Sequence, residues 1–301
     1  MTDSTPHITV LVCTFRRQHL LGQLLKELDR QQTESLFEYS VTIVDNDVLQ
    51  SARETVLQFQ KASSLDITYC VEPEQNIALA RNKALANSTG DFLAFIDDDE
   101  FPANDWLLRL YETCKECKVD GVLGPVIPHF EAAPPAWITR GKFCDRPSHE
   151  TGFTIDWTEG RTGNLLLKRD ILTDIEPVFR AEFGSGGEDR NLFRRLIGQG
   201  RTFIWCNEAK VYESVPPVRL KRGFMLRRAL LRGKMSLNDI RGIRDLAKSC
   251  SAVIGYTLAL PVFLLMGHHM FMKYLIKICD HAGKVLAFAG LEPIRDKYVM
   301  E

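Results

Sequence analysis

The sequence predicts an open α/β fold, a mostly parallel sheet with helices on both faces, followed by a helical region of different character. Three observations predict it. Short apolar, β-branched runs alternate with stretches of helical periodicity through the first half. The runs end in polar or acidic residues, where sheets of this kind bind their ligands. Beyond Pro216-Pro217 the alternation gives way to basic and then apolar helical segments.

The strands and helices follow in order. Residues 8–14 are apolar and end in Thr14. Residues 20–28 carry Leu20, Leu21, Leu24, Leu25 and Leu28 on one helical face. A second buried strand, 41–44, ends in Asp45. Residues 53–61 read as helix and 67–71 as strand. The Ala-rich stretch 77–86 is helical and carries Arg81. The strand 92–96 runs directly into Asp97-Asp98-Asp99-Glu100. Residues 106–117 are helical, 121–126 strand, and 128–156 an irregular loop rich in Pro, Gly and aromatics that suits a flap over a site. A short strand at 162–167, a helix at 188–197 and closing strands at 203–205 and 210–212 complete the first domain, 1–216.

The second region, 217–301, is helical. Residues 219–234 hold five arginines, two lysines and no acid, which suits an anionic surface or ligand. Residues 252–266 lack any charge but are broken by Pro261, and fall short of the roughly 20 residues of a spanning helix. Residues 270–291 are amphipathic. A buried helix pair is one reading. An interfacial anchor or membrane hairpin is the other, and the adjoining basic block argues for it.

Bulk composition excludes some classes. Of 301 residues 45% are hydrophobic and 26% charged, ordinary for a globular protein with a sizeable core. A formal net charge of −1 gives no support to nucleic-acid binding. The eight cysteines show no framework spacing. Cys114 and Cys117 form a C-x-x-C, but on a helical pattern and without a second pair, so they read as structural, reduced thiols. The polar N-terminus enters a strand without a signal peptide, so the catalytic part is expected to face the cytoplasm.

Three clusters carry chemistry. Four consecutive acids at the end of an apolar strand repel one another, and a divalent cation bound by hard oxygen donors, Mg²⁺ or Mn²⁺, would relieve that repulsion. A solvated acidic turn is the plain alternative. Arg81, on the helix before that strand, could pair with a diphosphate or with the acids. The run Gly184-Ser185-Gly186-Gly187-Glu188-Asp189 leads into a helix. Its acids could simply favour the helix N-terminus, or Asp189 could act as a general base on a bound hydroxyl.

With these residues placed, the chain resembles the inverting glycosyltransferases of family 2, which have the GT-A fold. The matching pieces are 10–15, Val44-Asp45-Asn46, Asn76 with Ala80-Arg81-Asn82, 90–99, Thr162-Gly163-Asn164 and Gly187-Glu188-Asp189, in family order across residues 7–215. The resemblance implies roles. Thr14 and Asp45 would hold the uracil and ribose of a UDP-sugar, and Arg81 would lie near the base and diphosphate. Asp97, Asp98 and Asp99 would face the donor, with Asp99 and Asp97 as ligands of Mn²⁺ or Mg²⁺. Asn164, with Thr162 and Gly163, would shape the sugar pocket. Asp189, with Glu188 beside it, would be the catalytic base. Many relatives have a histidine where this chain has Tyr212-Glu213, so a third protein ligand is left to Glu213 or to none.

The expected function is transfer of a hexose from a UDP-sugar, UDP-glucose first among them, to a lipid-linked saccharide at the cytoplasmic face of the inner membrane, in surface or exopolysaccharide biosynthesis. Two alternatives use the same features. A nucleotidyltransferase also sets paired acids and a nucleotide on an α/β sheet, although Thr14-Phe15-Arg16-Arg17 lacks the glycines of its phosphate loop. A non-catalytic sugar- or membrane-binding protein could retain the fold.

Overall fold

The computed structural model describes residues 5–184, 186–236 and 243–291. Ser185, and with it the middle of the glycine-rich run, lies outside the described residues.

Strands β1 (His7–Thr14), β2 (Glu38–Asp45), β3 (Ile67–Val71) and β4 (Phe92–Ile96) alternate with helices α1 (Gln18–Leu28), α2 (Arg53–Ala62) and α3 (Ile77–Ala86). Then follow β5 (Glu100–Pro102), α4 (Trp106–Glu116), β6 (Gly121–Leu123), β7 (Val126–His129), α5 (Ala136–Gly141), β8 (Asn164–Lys168), α6 (Glu188–Gly198), β9 (Phe203–Trp205) and β10 (Val211–Ser214). The seven-stranded sheet has the order β3-β2-β1-β4-β8-β6-β9. It is parallel except for β8, which runs antiparallel to β4 and β6. A second, three-stranded sheet has the order β5-β10-β7.

The two faces of the large sheet are covered by different helices. Leu21, Leu24, Leu25 and Leu28 of α1 are fully buried with Val56 of α2 and Trp106 and Leu110 of α4. Each such leucine contributes about 1.5–3 kcal/mol by leaving water. On the other face, Ala78, Ala80 and Ala84 of α3 share a core with Leu192, Phe193 and Leu196 of α6. The small alanines explain why α3 lacks a one-sided leucine stripe yet is buried. Because strand order reverses between β1 and β4, their carboxyl ends form the switch point where open α/β sheets bind ligands. The register sets Thr14 opposite Asp45, and Leu11 opposite Phe95, so the turn after β4 emerges beside Thr14.

Several details differ from the sequence expectation. The run 121–126 is two strands, because after Leu123 the chain leaves the large sheet and re-enters the small one. The acids 97–100 form one turn, closed by the N–H of Glu100 donating to the carbonyl of Asp97 at 3.1 Å, but it is not solvated: Asp98 and Asp99 are buried, and Glu100 begins β5 with its side chain buried. The stretch 128–156 contains the short helix α5.

The chain groups into two compact units. One comprises residues 1–127 and 146–214, the other 128–145 and 215–301. The second unit therefore includes the segment 128–145, which a contiguous reading assigns to the first domain. It contains α7 (Arg222–Met235), α8 (Ile243–Leu265) and α9 (His268–Phe288). α7 and α9 approach so closely that a side-chain carbon on Gly233 would meet the backbone of Asp280, and one on Gly283 the backbone of Leu230. Arg232 pairs with Asp280 beside this crossing, at 3.0 Å. α8 is longer than its uncharged stretch, because Arg244, Asp245 and Lys248 continue the helix N-terminally. Over Arg244–Leu265 it is 22 residues long and contains an 18-residue stretch with a mean hydropathy of 1.5, long and apolar enough to cross a membrane. Ile254, Leu258, Val262 and Leu265 recur at helical spacing and are all exposed, Leu265 to 90%.

Candidate active site

The site is built at the carboxyl ends of β1 and β4 and at the start of α6. Thr14 ends β1, and its hydroxyl donates to Asp98 Oδ2 at 2.7 Å. Arg17, just before α1, donates from Nη1 to Asp98 Oδ1 at 2.9 Å and to Asp99 Oδ2 at 3.2 Å. Asp98 and Asp99 are thus buried carboxylates with a counter-charge, as burial of an ion requires. Burial pushes the pKa of Asp98 up, against the opposing pull of Arg17. Asp97 is the open member of the run, with 45% of its side chain exposed. Its pKa is pushed up to about 6 by desolvation and then by the like charges of Asp99 and Asp189, with Arg81 opposing.

The other half of the site centres on Arg81. Asn76 caps α3 by accepting from the backbone N–H groups of Ala78 and Leu79. Arg81 follows more than a turn later and is buried, with its guanidinium 5.6 Å from the Phe179 ring centroid. Its Nη1 donates to Glu188 Oε1 and, at 2.6 Å, to Asp189 Oδ1, while Nη2 lies 3.6 Å from Asp97 Oδ1. Thr162 completes the grip on Asp189, donating from its hydroxyl at 3.0 Å and from its backbone N–H at 3.4 Å. The Asp189 side chain remains 25% exposed. Glu188 is buried, and its second oxygen has no hydrogen-bond partner among the described residues. Burial, then the charge of Asp189, push its pKa up to about 7 despite Arg81. Gly187 enters α6 with φ +96, a backbone that favours glycine, which sets the two acids on the first turn.

Glu100 closes the floor. Its Oε2 accepts the backbone N–H of Asp97 at 3.0 Å, its Oε1 has no hydrogen bond, and burial raises its pKa well above the ordinary range. A side-chain carbon on Gly163 would come within 2.8 Å of Glu100 Oε1 and 3.2 Å of Asp97 Oδ2, so glycine there keeps the acids in place. Arg146 lies 4.0 Å from Glu100 Oε1 and pairs with Glu213.

These placements revise several expected roles. Asp45 is fully buried, and its carboxylate accepts from the N–H of Ala52 at 2.7 Å, the N–H of Asp47 at 3.1 Å and the hydroxyl of Tyr69 at 2.9 Å. It organises the loop after β2 rather than presenting an oxygen to a ligand. Asn164 is equally internal: it accepts from Trp106 Nε1 and donates to the carbonyls of Pro125 and Ala209, which locks β8 to its surroundings. Arg81 is engaged by three carboxylates rather than turned to a diphosphate, because a buried guanidinium needs anionic partners. Thr14 holds Asp98, and Glu213 holds Arg146. Tyr212 stacks on Phe101, with ring centroids 5.5 Å apart. Sequence reasoning missed the roles of Arg17 and Thr162. Arg17 was findable, since it stands three residues beyond the end of a strand whose neighbour ends in acids. Among the described residues no cysteine forms a disulfide, and burial pushes Cys114 up to about 11, the behaviour of an inert thiol.

Among the described residues, no three His, Cys, Asp or Glu side chains form a group that could hold a metal ion alone. Asp97 and Asp99 offer two hard carboxylates, one of them exposed. That donor set fits Mg²⁺ or Mn²⁺ that completes its shell with water and substrate phosphate, and does not fit an all-protein cage.

A doubly wound sheet with a D-x-D turn at its switch point, and a carboxylate held across from it on a helix N-terminus, defines an enzyme of the glycosyltransferase class with the GT-A fold. The chain belongs to the family described as Glycosyl transferase family 2, which it matches over residues 9–175. It is 33% identical over 306 residues to the succinoglycan biosynthesis protein ExoM of Rhizobium meliloti, covering 98% of this chain and 96% of that one. Among solved structures it is similar to the mannosyltransferase PcManGT from Pyrobaculum calidifontis in complex with GDP-Man and Mn²⁺, with TM-score 0.65, 17% identity, and coverage of 96% of this chain and 89% of that one. It is also similar to residues 1–349 of S. aureus TarS in complex with UDP, with TM-score 0.54, 15% identity, and coverage of 96% and 94%. At these identities the structural likeness speaks for the fold.

Proposed function

We propose that the chain transfers a hexose from a UDP-sugar, UDP-glucose first among candidates, to a lipid-linked saccharide in polysaccharide biosynthesis, with inversion at the anomeric carbon. The observation that carries this reading is the setting of Asp189. It is a partly exposed carboxylate fixed by Thr162 and Arg81, with the same arginine reaching Asp97 of the D-x-D turn at 3.6 Å. The base and the leaving-group side of the site are thereby held in one frame.

In this mechanism Asp189 accepts the proton of the acceptor hydroxyl, and that oxygen displaces UDP in line. Thr162 and Arg81 keep the carboxylate aimed. Asp97 and Asp99 would hold Mn²⁺ or Mg²⁺, which supplies charge stabilisation to the departing diphosphate. Arg17, tied to Asp98 and Asp99, adds positive charge on that side. Similarity to ExoM along nearly the whole chain supports a polysaccharide setting, and PcManGT and TarS supply precedents for nucleotide-sugar and metal binding on this fold.

The second unit supports a membrane setting. Its α8 is long and apolar, and the basic α7 suits the anionic cytoplasmic face. On this reading the full chain fractionates with membranes and loses that behaviour on removal of residues 218–301. A full chain found wholly in the soluble fraction would refute it.

The test of activity is UDP release from a panel of UDP-sugars with membrane lipid extracts as acceptor and mass detection of the product. UDP and a saccharide one hexose longer are expected, whereas pyrophosphate would identify a nucleotidyltransferase. Asp99→Asn and chelation of divalent metal are each expected to lower transfer by about 100-fold or more, the scale of a lost metal contribution.

A further inference from the structure

A cavity in the first unit takes no part in the mechanism above. It is small, about 20 Å³, room for an oxyanion but not for a sugar ring, and is lined by Arg146, His149, Glu159, Arg161, Asn164 and Trp205, with apolar walls from Leu123 and Val126. Arg161 immediately precedes Thr162, the residue that grips Asp189, so the cavity flanks the proposed base and not the nucleotide side at Thr14 and Asp98.

Its charges are unevenly matched. His149 Nε2 and Glu159 Oε2 are 2.7 Å apart and satisfy one another. Arg146 has Glu213 and Glu100. Arg161 is half-buried and, among the described residues, has no carboxylate within ion-pair distance. Burial and then the like charges of Arg146 and Arg190 push its pKa down, against the smaller opposing pull of Glu159 and Asp189. Proteins rarely leave such a group without an anion. A second donor stands nearby: Trp205 is 7% exposed, and its buried indole N–H has no hydrogen-bond partner among the described residues. At the rim, Phe153 is 46% exposed and stacks on His149 with centroids 4.0 Å apart, a flat apolar surface of the kind that packs against a sugar ring.

We infer that this cavity seats the oxyanion of an acceptor saccharide, a sugar carboxylate or a sugar phosphate whose ring stays outside it, with Arg161 as the charge partner and Trp205 as a supporting donor. The inference rests on the reading of Asp189 as the base. An anion seated on Arg161 places its sugar next to the carboxylate that deprotonates the incoming hydroxyl.

The test uses full-length protein in detergent with UDP present. Binding of methyl glucuronide, methyl glucoside 6-phosphate and neutral methyl glucoside is measured by calorimetry. At least one anionic glycoside is expected to bind about tenfold more tightly than the neutral one, the scale of a single charge-assisted hydrogen bond. Which of the two does so separates a carboxylate from a phosphate. Arg161→Gln should remove that preference while leaving UDP affinity unchanged, and Arg161→Lys should retain most of it. Trp205→Phe, which keeps the ring but not the N–H, should lower anion affinity by a smaller factor. Equal affinity for all three glycosides, or an anion preference that survives Arg161→Gln, would overturn the inference. Because UDP release is assayed separately, a protein that transfers hexose but shows no anion preference sinks this subsite alone. A protein that never releases UDP sinks the transfer reading.

Discussion

The two acid clusters of the site solve one problem in different ways. Asp98 and Asp99 sit at a strand end under Arg17, whose side chain is 34% exposed. Glu188 and Asp189 sit on the first turn of α6 under Arg81, whose side chain is 9% exposed. An exposed arginine is screened by water and can move when a ligand brings competing charge. A buried one cannot leave without stranding its partners. The difference suits the proposed roles. The donor side must rearrange its charges when diphosphate and metal arrive and depart, whereas the base must be equally well aimed in every cycle.

The comparison can be broken at several points. The largest expected effect is that of Asp189→Asn, which should lower transfer by about 10³-fold, the middle of the range for a lost general base. UDP binding should be unchanged, and a variant retaining near-wild-type transfer would remove Asp189 from the mechanism.

Next comes Arg81→Met. Removing the guanidinium leaves buried carboxylates without compensation and should cost about 3–5 kcal/mol of stability. Denaturant or thermal unfolding followed by near-ultraviolet circular dichroism measures this. Adding Glu188→Gln to Arg81→Met should restore part of the loss, because one uncompensated charge goes with it. An Arg81→Met protein as stable as wild type would mean that the buried clamp is not what holds α6 to α3.

A smaller and pH-dependent effect is expected of Glu188→Gln alone. Glu188 has its folded pKa raised from 4.5 to about 7, so the folded state holds a proton that the unfolded chain has lost. Wild-type stability should therefore fall as pH rises from about 4.5 to about 7 and level off above. Gln carries no such proton, so the variant should gain on wild type through that window and run parallel to it outside. A stability difference that is flat across pH 4.5–7 would show that Glu188 is not a buried, proton-retaining acid. The smallest effect is that of Arg17→Gln, expected to cost no more than about 1 kcal/mol, as for a partly exposed ion pair.

Much of this was legible in the chain. The alternation of β-branched runs with helical periodicity, and the acids after Phe92–Ile96, are local patterns. They led to the sheet and to acids at the end of one of its strands; the strand order that makes this a switch point came only from the structure. The leucines of α1 announced its buried face directly. The alanines of α3 did not, because a helix buried under another helix carries small residues in place of an amphipathic stripe. α8 was underread for a related reason: a charge such as Lys248 ends an apolar run in the sequence but does not end a helix.

The sequence by itself determined which residues carry chemistry and that they lie at strand ends and at a glycine-rich helix start, since backbone periodicity and turn chemistry act over a few residues. Only the tertiary structure decided which of them meet. That Arg81 reaches Glu188 and Asp189, that Thr162 holds Asp189, and that Asn164 is tied to Trp106 all depend on contacts between segments 27 to 108 residues apart. Burial and charge pairing set those contacts, and neither is encoded in the spacing of any single motif.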